Sequence, residues 1–130
     1  MPKDYVIAVE WYANAAEQGL ASAQFNLGLM YDYGRGVPQE YATAVKWYRK
    51  AADQGDAEAQ YNLGAMYGNG IGVPQDYVMA YMWLNLAAAQ GIEIAKENRG
   101  ILQERITPAD ISKAQTLSRE CSAKDYKDCG

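Results

Sequence analysis

The chain has no histidine and only two cysteines in 130 residues. Without an imidazole, Ser-His-Asp and Cys-His catalysis are excluded, and so are zinc sites with histidine ligands. Two thiols fall short of the four that an all-thiolate zinc site requires. Positive charge is also scarce: 12 basic against 16 acidic residues leave a net charge of −4 and a pI near 4.8. That balance argues against nucleic-acid binding, which needs a basic face. No apolar run approaches the roughly 20 residues that span a bilayer. The opening MPKDYVIAVEWY lacks the basic, apolar and small-residue order of a signal peptide, although a signal removed upstream of it stays compatible with the sequence. At 49% hydrophobic and 22% charged residues, the composition is that of one folded domain with a modest core.

What the chain does contain is repetition. NLGLMYDYGRGVPQEY at 26–41 returns as NLGAMYGNGIGVPQDY at 62–77. Setting 4–39 against 40–75 without gaps gives about 22 identities in 36 positions, and a third copy from Asp76 drifts after its first half. Trp11, Trp47 and Trp83 fall in step, as do Gly28, Gly64 and Gly100. The repeats are set at 4–39, 40–75 and 76–106, within one domain over 1–130, with a capping helix and tail over 107–130.

Each copy reads as a pair of helices. EYATAVKWYRKAADQG puts Ala44, Trp47, Tyr48, Ala51 and Ala52 on one apolar face, with Pro38 at the start and Gly55 at the end. AEAQYNLGAMYG carries Ala59, Leu63, Met66 and Tyr67 at the same spacing. Small residues such as Gly64 let a neighbouring backbone approach. Neither helix can bury its stripe alone, so the copies must stack. RITPADISKAQTLSREC adds Thr107 as N-cap, Pro108 at the first helical position and an apolar face of Ile111, Ala114 and Leu117. The pattern predicts seven helices, at about 2–18, 21–33, 38–54, 57–69, 74–90, 92–105 and 108–122, and an all-α fold.

The unit AVKWYRKAADQGDAEAQYNLGAMYGNGIGVPQDY closely resembles the Sel-one-like repeats, relatives of the tetratricopeptide repeats, over roughly residues 2–105. The resemblance implies a right-handed α–α solenoid of three helix-pair repeats, closed by the capping helix and used mainly as a protein-binding scaffold of bacterial origin. The third copy departs from the pattern, with Arg99 in place of Leu27 and Leu63, Gln103 in place of Tyr31 and Tyr67, and no Gly-x-Gly-Val-Pro loop. An end repeat that must face water accounts for this.

The glycine run Gly68 to Gly72 is the main invitation to read an enzyme. It follows a helix, ends in Val73-Pro74 and has no lysine placed for phosphate, so it reads as a turn between repeats. Recurrent Trp and Tyr residues read as core, and Asn26, Asn62 and Asn98 as partners of backbone carbonyls or turn edges. No catalytic, cofactor or metal residue is assigned, and a non-enzymatic protein is expected. A small-molecule binder or enzyme, such as the β-lactam-binding branch of the family with its cysteine pair in each repeat, is a rival; this chain lacks those cysteines. A piece of a longer solenoid with no separate function is a second rival.

Positions where the copies disagree are free of core constraint. Val6, Glu10, Ala13 and Asn14, then Ala42, Lys46, Arg49 and Lys50, then Val78, Met82, Asn85 and Leu86 each mark one face of a first helix. In tetratricopeptide-like solenoids the first helices line the concave surface, so the resemblance implies a partner face here, against the plainer reading of simple solvent exposure. Candidate contacts are Glu10, Lys46, Arg49, Lys50, Met82 and Asn85, and the three cations point to an acidic peptide or protein. The N-terminal helix pair opens without a polar cap, so either self-association through Tyr5, Val6 and Val9 or the removal of upstream repeats is expected. Cys121 and Cys129 are either free thiols in a cytoplasm or one disulfide. The adopted reading is the disulfide, closed by the polar segment folding back, and with it a periplasmic or secreted location.

Overall fold

The structure, a computed structural model, describes residues 3–129 and holds seven α-helices and no strand among them. The helices are α1 (Lys3–Glu17), α2 (Ala21–Tyr33), α3 (Tyr41–Ala52), α4 (Ala57–Asn69), α5 (Tyr77–Ala89), α6 (Glu93–Gln103) and α7 (Pro108–Ala123). They form the solenoid of stacked helix pairs that the resemblance implies. The expected helix starts at Pro38 and Pro74 are corrected. Helix α3 begins three residues after its proline, with Glu40 as extended N-cap, and α5 likewise begins after Asp76. The reason is that the backbone N–H of Glu40 bonds Tyr31 O at 2.9 Å, and that of Asp76 bonds Tyr67 O at 3.0 Å. These bonds hold the Val-Pro-Gln segments against the preceding helix instead of letting them coil.

Stacking runs through alternate helices: α2 packs on α3 and α4 on α5. Glycine makes this closeness feasible. A Cβ on Gly28 would stand 2.7 Å from the Tyr48 ring, and one on Gly64 3.0 Å from Leu84. The glycine-rich loop is a turn: Gly72 has φ +75°, and a Cβ there would lie 2.7 Å from Tyr41 O. Two buried glutamines rivet the junctions. Gln60 donates to Ala52 O at 3.3 Å and accepts from Gln90 Nε2 at 2.9 Å, while Gln24 donates to Ala16 O at 3.2 Å and accepts from Gln54 Nε2 at 2.8 Å. Each ties a second helix to its own first helix and to the next one.

Helix α7 breaks the progression. Thr107 caps it by accepting from the Asp110 N–H at 3.1 Å, with Pro108 in its first turn. A fourth repeat would lay it on α6, but its main contact is with α5. There Ser118 Oγ bonds Ala114 O at 2.9 Å and reaches Met82 O at 3.4 Å. Further along, Cys121 enters the core beside Tyr48, Ala52, Trp83 and Leu86. The tail then turns back through Asp125, Tyr126 and Asp128, all with positive φ. It is closed by a disulfide between Cys121 and Cys129, whose Cα atoms are 5.2 Å apart. Arg99 and Gln103 take polar partners, the Asn85 side chain at 2.7 Å and the Tyr81 hydroxyl at 2.7 Å.

Candidate functional site

The first helices α1, α3 and α5 carry three equivalent rows, and the rows differ in what covers them. On α5 the row is closed. Met82 and Trp83 are fully buried and Leu86 nearly so, with α7 laid across them. The expectation that Met82 contacts a partner is therefore corrected, because α7 already occupies that face. Asn85 is half-buried and accepts from Arg99 Nη1, so it too is engaged within the molecule.

On α3 the row is open along much of its length. Ala42, Lys46 and Lys50 are exposed, and Trp47 beside them is partly so. The ammonium groups of Lys46 and Lys50 lie 5.7 and 4.9 Å from the centroid of the Trp47 ring. An ion pair joins Lys96 and Glu93 at 3.2 Å, far along the chain from this row. Arg49 is half-buried at the junction of repeats, bonded to the Tyr67 hydroxyl, with its guanidinium 5.8 Å from the Tyr67 ring and 6.0 Å from that of Trp83. Arg49 is thus partly a structural residue, and Lys46 and Lys50 form the accessible part of the cluster. Glu10 is exposed on α1, in the equivalent row one repeat earlier.

The C-terminal end of α3 is covered by the tail. The Tyr126 ring lies against Gly55, where a Cβ would stand 3.1 Å from it. Beneath the tail, burial holds the Asp53 carboxyl above the usual carboxylate range; Arg49 pulls it back, and Asp128 adds to the rise. On the opposite side of α3, burial raises the Tyr48 hydroxyl far above an ordinary tyrosine, and its 2.8 Å bond to Asp32 Oδ2 adds to the shift. Of the asparagines expected to bond backbone groups, Asn98 turns to a tyrosine: its Nδ2 donates to Tyr61 OH at 3.2 Å. A cleft of about 270 Å³ between α4 and α6 has Gly64, Gly68, Asn98 and Arg105 in its walls and no carboxylate.

Against families of known proteins, the model for the Sel1 repeat matches residues 1–20, 21–56 and 57–92. The chain belongs to the Sel1 repeat family. No curated protein sequence matches it. Among solved structures it is similar to c5321, a protective antigen present in uropathogenic Escherichia coli strains displaying an SLR fold, at 36% identity and TM-score 0.92; the alignment covers 99% of this chain and 28% of that one. It is also similar to a Sel1 repeat protein from Oxalobacter formigenes, at 46% identity and TM-score 0.72, over 74% of this chain and 40% of the other. The chain thus spans less than half the length of either. Sel1 repeat proteins generally mediate protein–protein interactions and are generally non-enzymatic scaffolds.

Within that family pattern, sequence reasoning missed two features of this Sel1 chain. The riveting glutamines were legible only as recurrence of Gln24 and Gln60, since glutamine is seldom a core residue. The docking of α7 had a signal: Met82 and Leu86 are apolar where α3 has Lys46 and Lys50.

Proposed function

We propose that this Sel1 repeat chain is a non-enzymatic interaction module that holds an acidic protein or peptide on the inner face of its first helices. The observation that carries the reading is the open α3 row, in which Lys46 and Lys50 flank a partly exposed Trp47 on an otherwise acidic protein. Cations beside a half-exposed aromatic combine charge attraction with apolar area, the mixture typical of binding hot spots. A photo-crosslinking residue placed at 46 should capture a partner in extracts of the source organism, whereas one at Glu97 on α6 should not. Arg49→Glu/Lys50→Glu should abolish the capture. Capture from position 97 alone would refute the reading.

The disulfide supports an oxidising location, periplasmic or exterior. Thiol titration of the unreduced protein should find no free thiol, and two would overturn the placement. No helix among the described residues is long and apolar enough to cross a membrane.

A second reading is favoured by α1. Trp11 is 74% exposed and Ile7 41%, whereas the matching Trp47 and Trp83 are covered by the preceding repeat. At the other end, Gly100 has nothing within 4 Å of a built Cβ, where Gly28 and Gly64 receive the next first helix. The exposed α1 face and the open side at Gly100 leave room for copies of the chain to associate head to tail. Light scattering should show mass rising with concentration and the rise lost in Trp11→Arg; a monomer at all concentrations would refute it.

A further inference from the structure

We infer that the partner segment seated on the α3 row is an α-helix bearing two carboxylates about one turn apart, docked one repeat away from α7 in the position that α7 itself takes on α5. The inference rests on the reading of the inner face as the binding surface and gives the occupant its shape and chemistry.

The molecule already contains one such complex, made with its own chain. Shifting the register by one repeat places Val78 on Ala42, Met82 on Lys46, Trp83 on Trp47, Asn85 on Arg49 and Leu86 on Lys50. On α5 this row receives a helix: Ala114, Ser118 and Cys121 are buried, Leu117 is half-buried, and the row beneath them is Met82, Trp83 and Leu86. The backbones of α3 and α5 repeat the same architecture, so the α3 row offers the same kind of seat. What changes is the chemistry. Two apolar positions have become lysines, one turn apart, roughly 6 Å along the helix at 1.5 Å per residue. A helix seated there must meet them with carboxylates in place of the apolar side chains of α7.

The seat is bounded on each side. Toward α5 it ends at α7, and toward α1 at Glu10. Glu10 repels an acidic helix that slips toward α1, and Asp53 and Asp128 repel a carboxylate placed at the C-terminal end of α3. Arg49 adds positive charge between them, and the exposed part of Trp47 takes an apolar side chain between the two acids.

The probe is a helical peptide copied from residues 107–123 of this chain, stapled on its outward side, with Leu117→Glu and Cys121→Glu. An otherwise identical peptide with Gln at both sites is the control. Fluorescence anisotropy should show the Glu peptide binding about tenfold or more tightly than the Gln peptide, as two partly desolvated charge pairs allow. Its affinity should fall with salt. The Trp47 indole resonance should shift on binding while that of Trp83 stays. Lys46→Glu/Lys50→Glu should lose the binding, and a Lys-bearing version of the peptide should recover it. These variants are exposed, and an unchanged melting curve checks their folding. Equal binding of Glu and Gln peptides, indifference to charge reversal, or no binding at all would overturn the inference. So would equal binding of a single-stranded RNA, which would show charge attraction without a helix seat. If crosslinking at position 46 captures an acidic partner whose binding segment is not helical, this inference fails and the broader reading stands. Capture only from position 97 removes both.

Discussion

One aromatic residue occurs at the same place in three repeats and meets three different surroundings, which makes it an internal measure of stacking. Trp11 is 74% exposed, Trp47 is partly exposed, and Trp83 is wholly buried. Truncating a buried tryptophan to alanine costs about 3–5 kcal/mol through lost transfer energy and the cavity left behind. Trp83 should sit at the lower end, because its indole Nε1 is buried with no hydrogen-bond partner among the described residues. Removing an unsatisfied donor returns part of a penalty of about 1–3 kcal/mol. We therefore expect Trp83→Ala to cost about 3 kcal/mol, Trp47→Ala about 2 kcal/mol, and Trp11→Ala no more than about 0.5 kcal/mol, as for other surface changes. For a domain of this size about 1 kcal/mol moves the melting point by roughly 3–5 °C. Trp83→Ala should then lower it by about 10–15 °C and Trp11→Ala by at most about 2 °C. Urea unfolding followed by circular dichroism gives the free energies, with an unchanged slope confirming that only stability has moved. A flat series, or a Trp11→Ala as costly as Trp83→Ala, would refute the reasoning, since it would mean that the face of α1 is covered in solution. Measuring dilute samples keeps head-to-tail contact from mimicking that result.

Three further outcomes are expected. Gln60→Ala should cost about 1–3 kcal/mol, because it leaves Gln90 Nε2 and Ala52 O short of a bond at a buried junction; a chemical melt matching wild type would show the rivet to be idle. Tyr48 has a folded pKa above its unfolded one, so its stabilisation is complete below about pH 10 and is lost as pH rises beyond it, by about 1.4 kcal/mol per pH unit while only the unfolded chain ionises. Ultraviolet titration should find one tyrosine that ionises only on unfolding, and Tyr48→Phe should remove it. Cys129→Ser should lower stability by up to about 2.5 kcal/mol, the entropy of a loop this short, and should speed amide exchange around Tyr126; unchanged exchange would mean that the tail stays docked without its bridge.

Much of the fold was legible because a repeat states its constraints more than once. Positions 28 and 64 must be glycine for the same reason, the approach of the next first helix, and a reader who sees the residue twice can infer the closeness. The disulfide partners were legible from elimination and loop length. The path of α7 was not. Its cap and apolar face specify a helix, but the face that it covers depends on how α6 ends, and Arg99 and Gln103 had been read only as signs of exposure. The candidate site suffered from the same gap. Met82, Lys46 and Glu10 occupy one structural position, and reading them as one class of surface residue ignored that a buried methionine and two solvated charges answer to different neighbours. Helix starts were missed for a simpler reason: a Val-Pro-Gln segment satisfies its backbone through bonds to the preceding helix, and proline marks that segment as readily as it marks a first turn.

The same reasoning explains how one repeat builds both a core and a recognition surface. Residues that face the neighbouring second helix, such as Ala44, Tyr48 and Ala51, are fully buried, and their counterparts in the other copies are small or bulky in the same places. Stacking fixes them because each junction is the same junction. Positions 46 and 50 and their counterparts are not held by those junctions, so stacking leaves their identity free and each copy is set by its own surroundings. Where the chain covers its own row, the residues are Met82 and Leu86. Where the first repeat meets only solvent, they are Glu10 and Asn14. The lysine pair on α3 matches neither case. Two cations over an indole, on a chain of net charge −4, gain nothing from stacking and are not needed for solubility. A carboxylate-bearing occupant of that row, as proposed above, would bring all three surroundings under one rule.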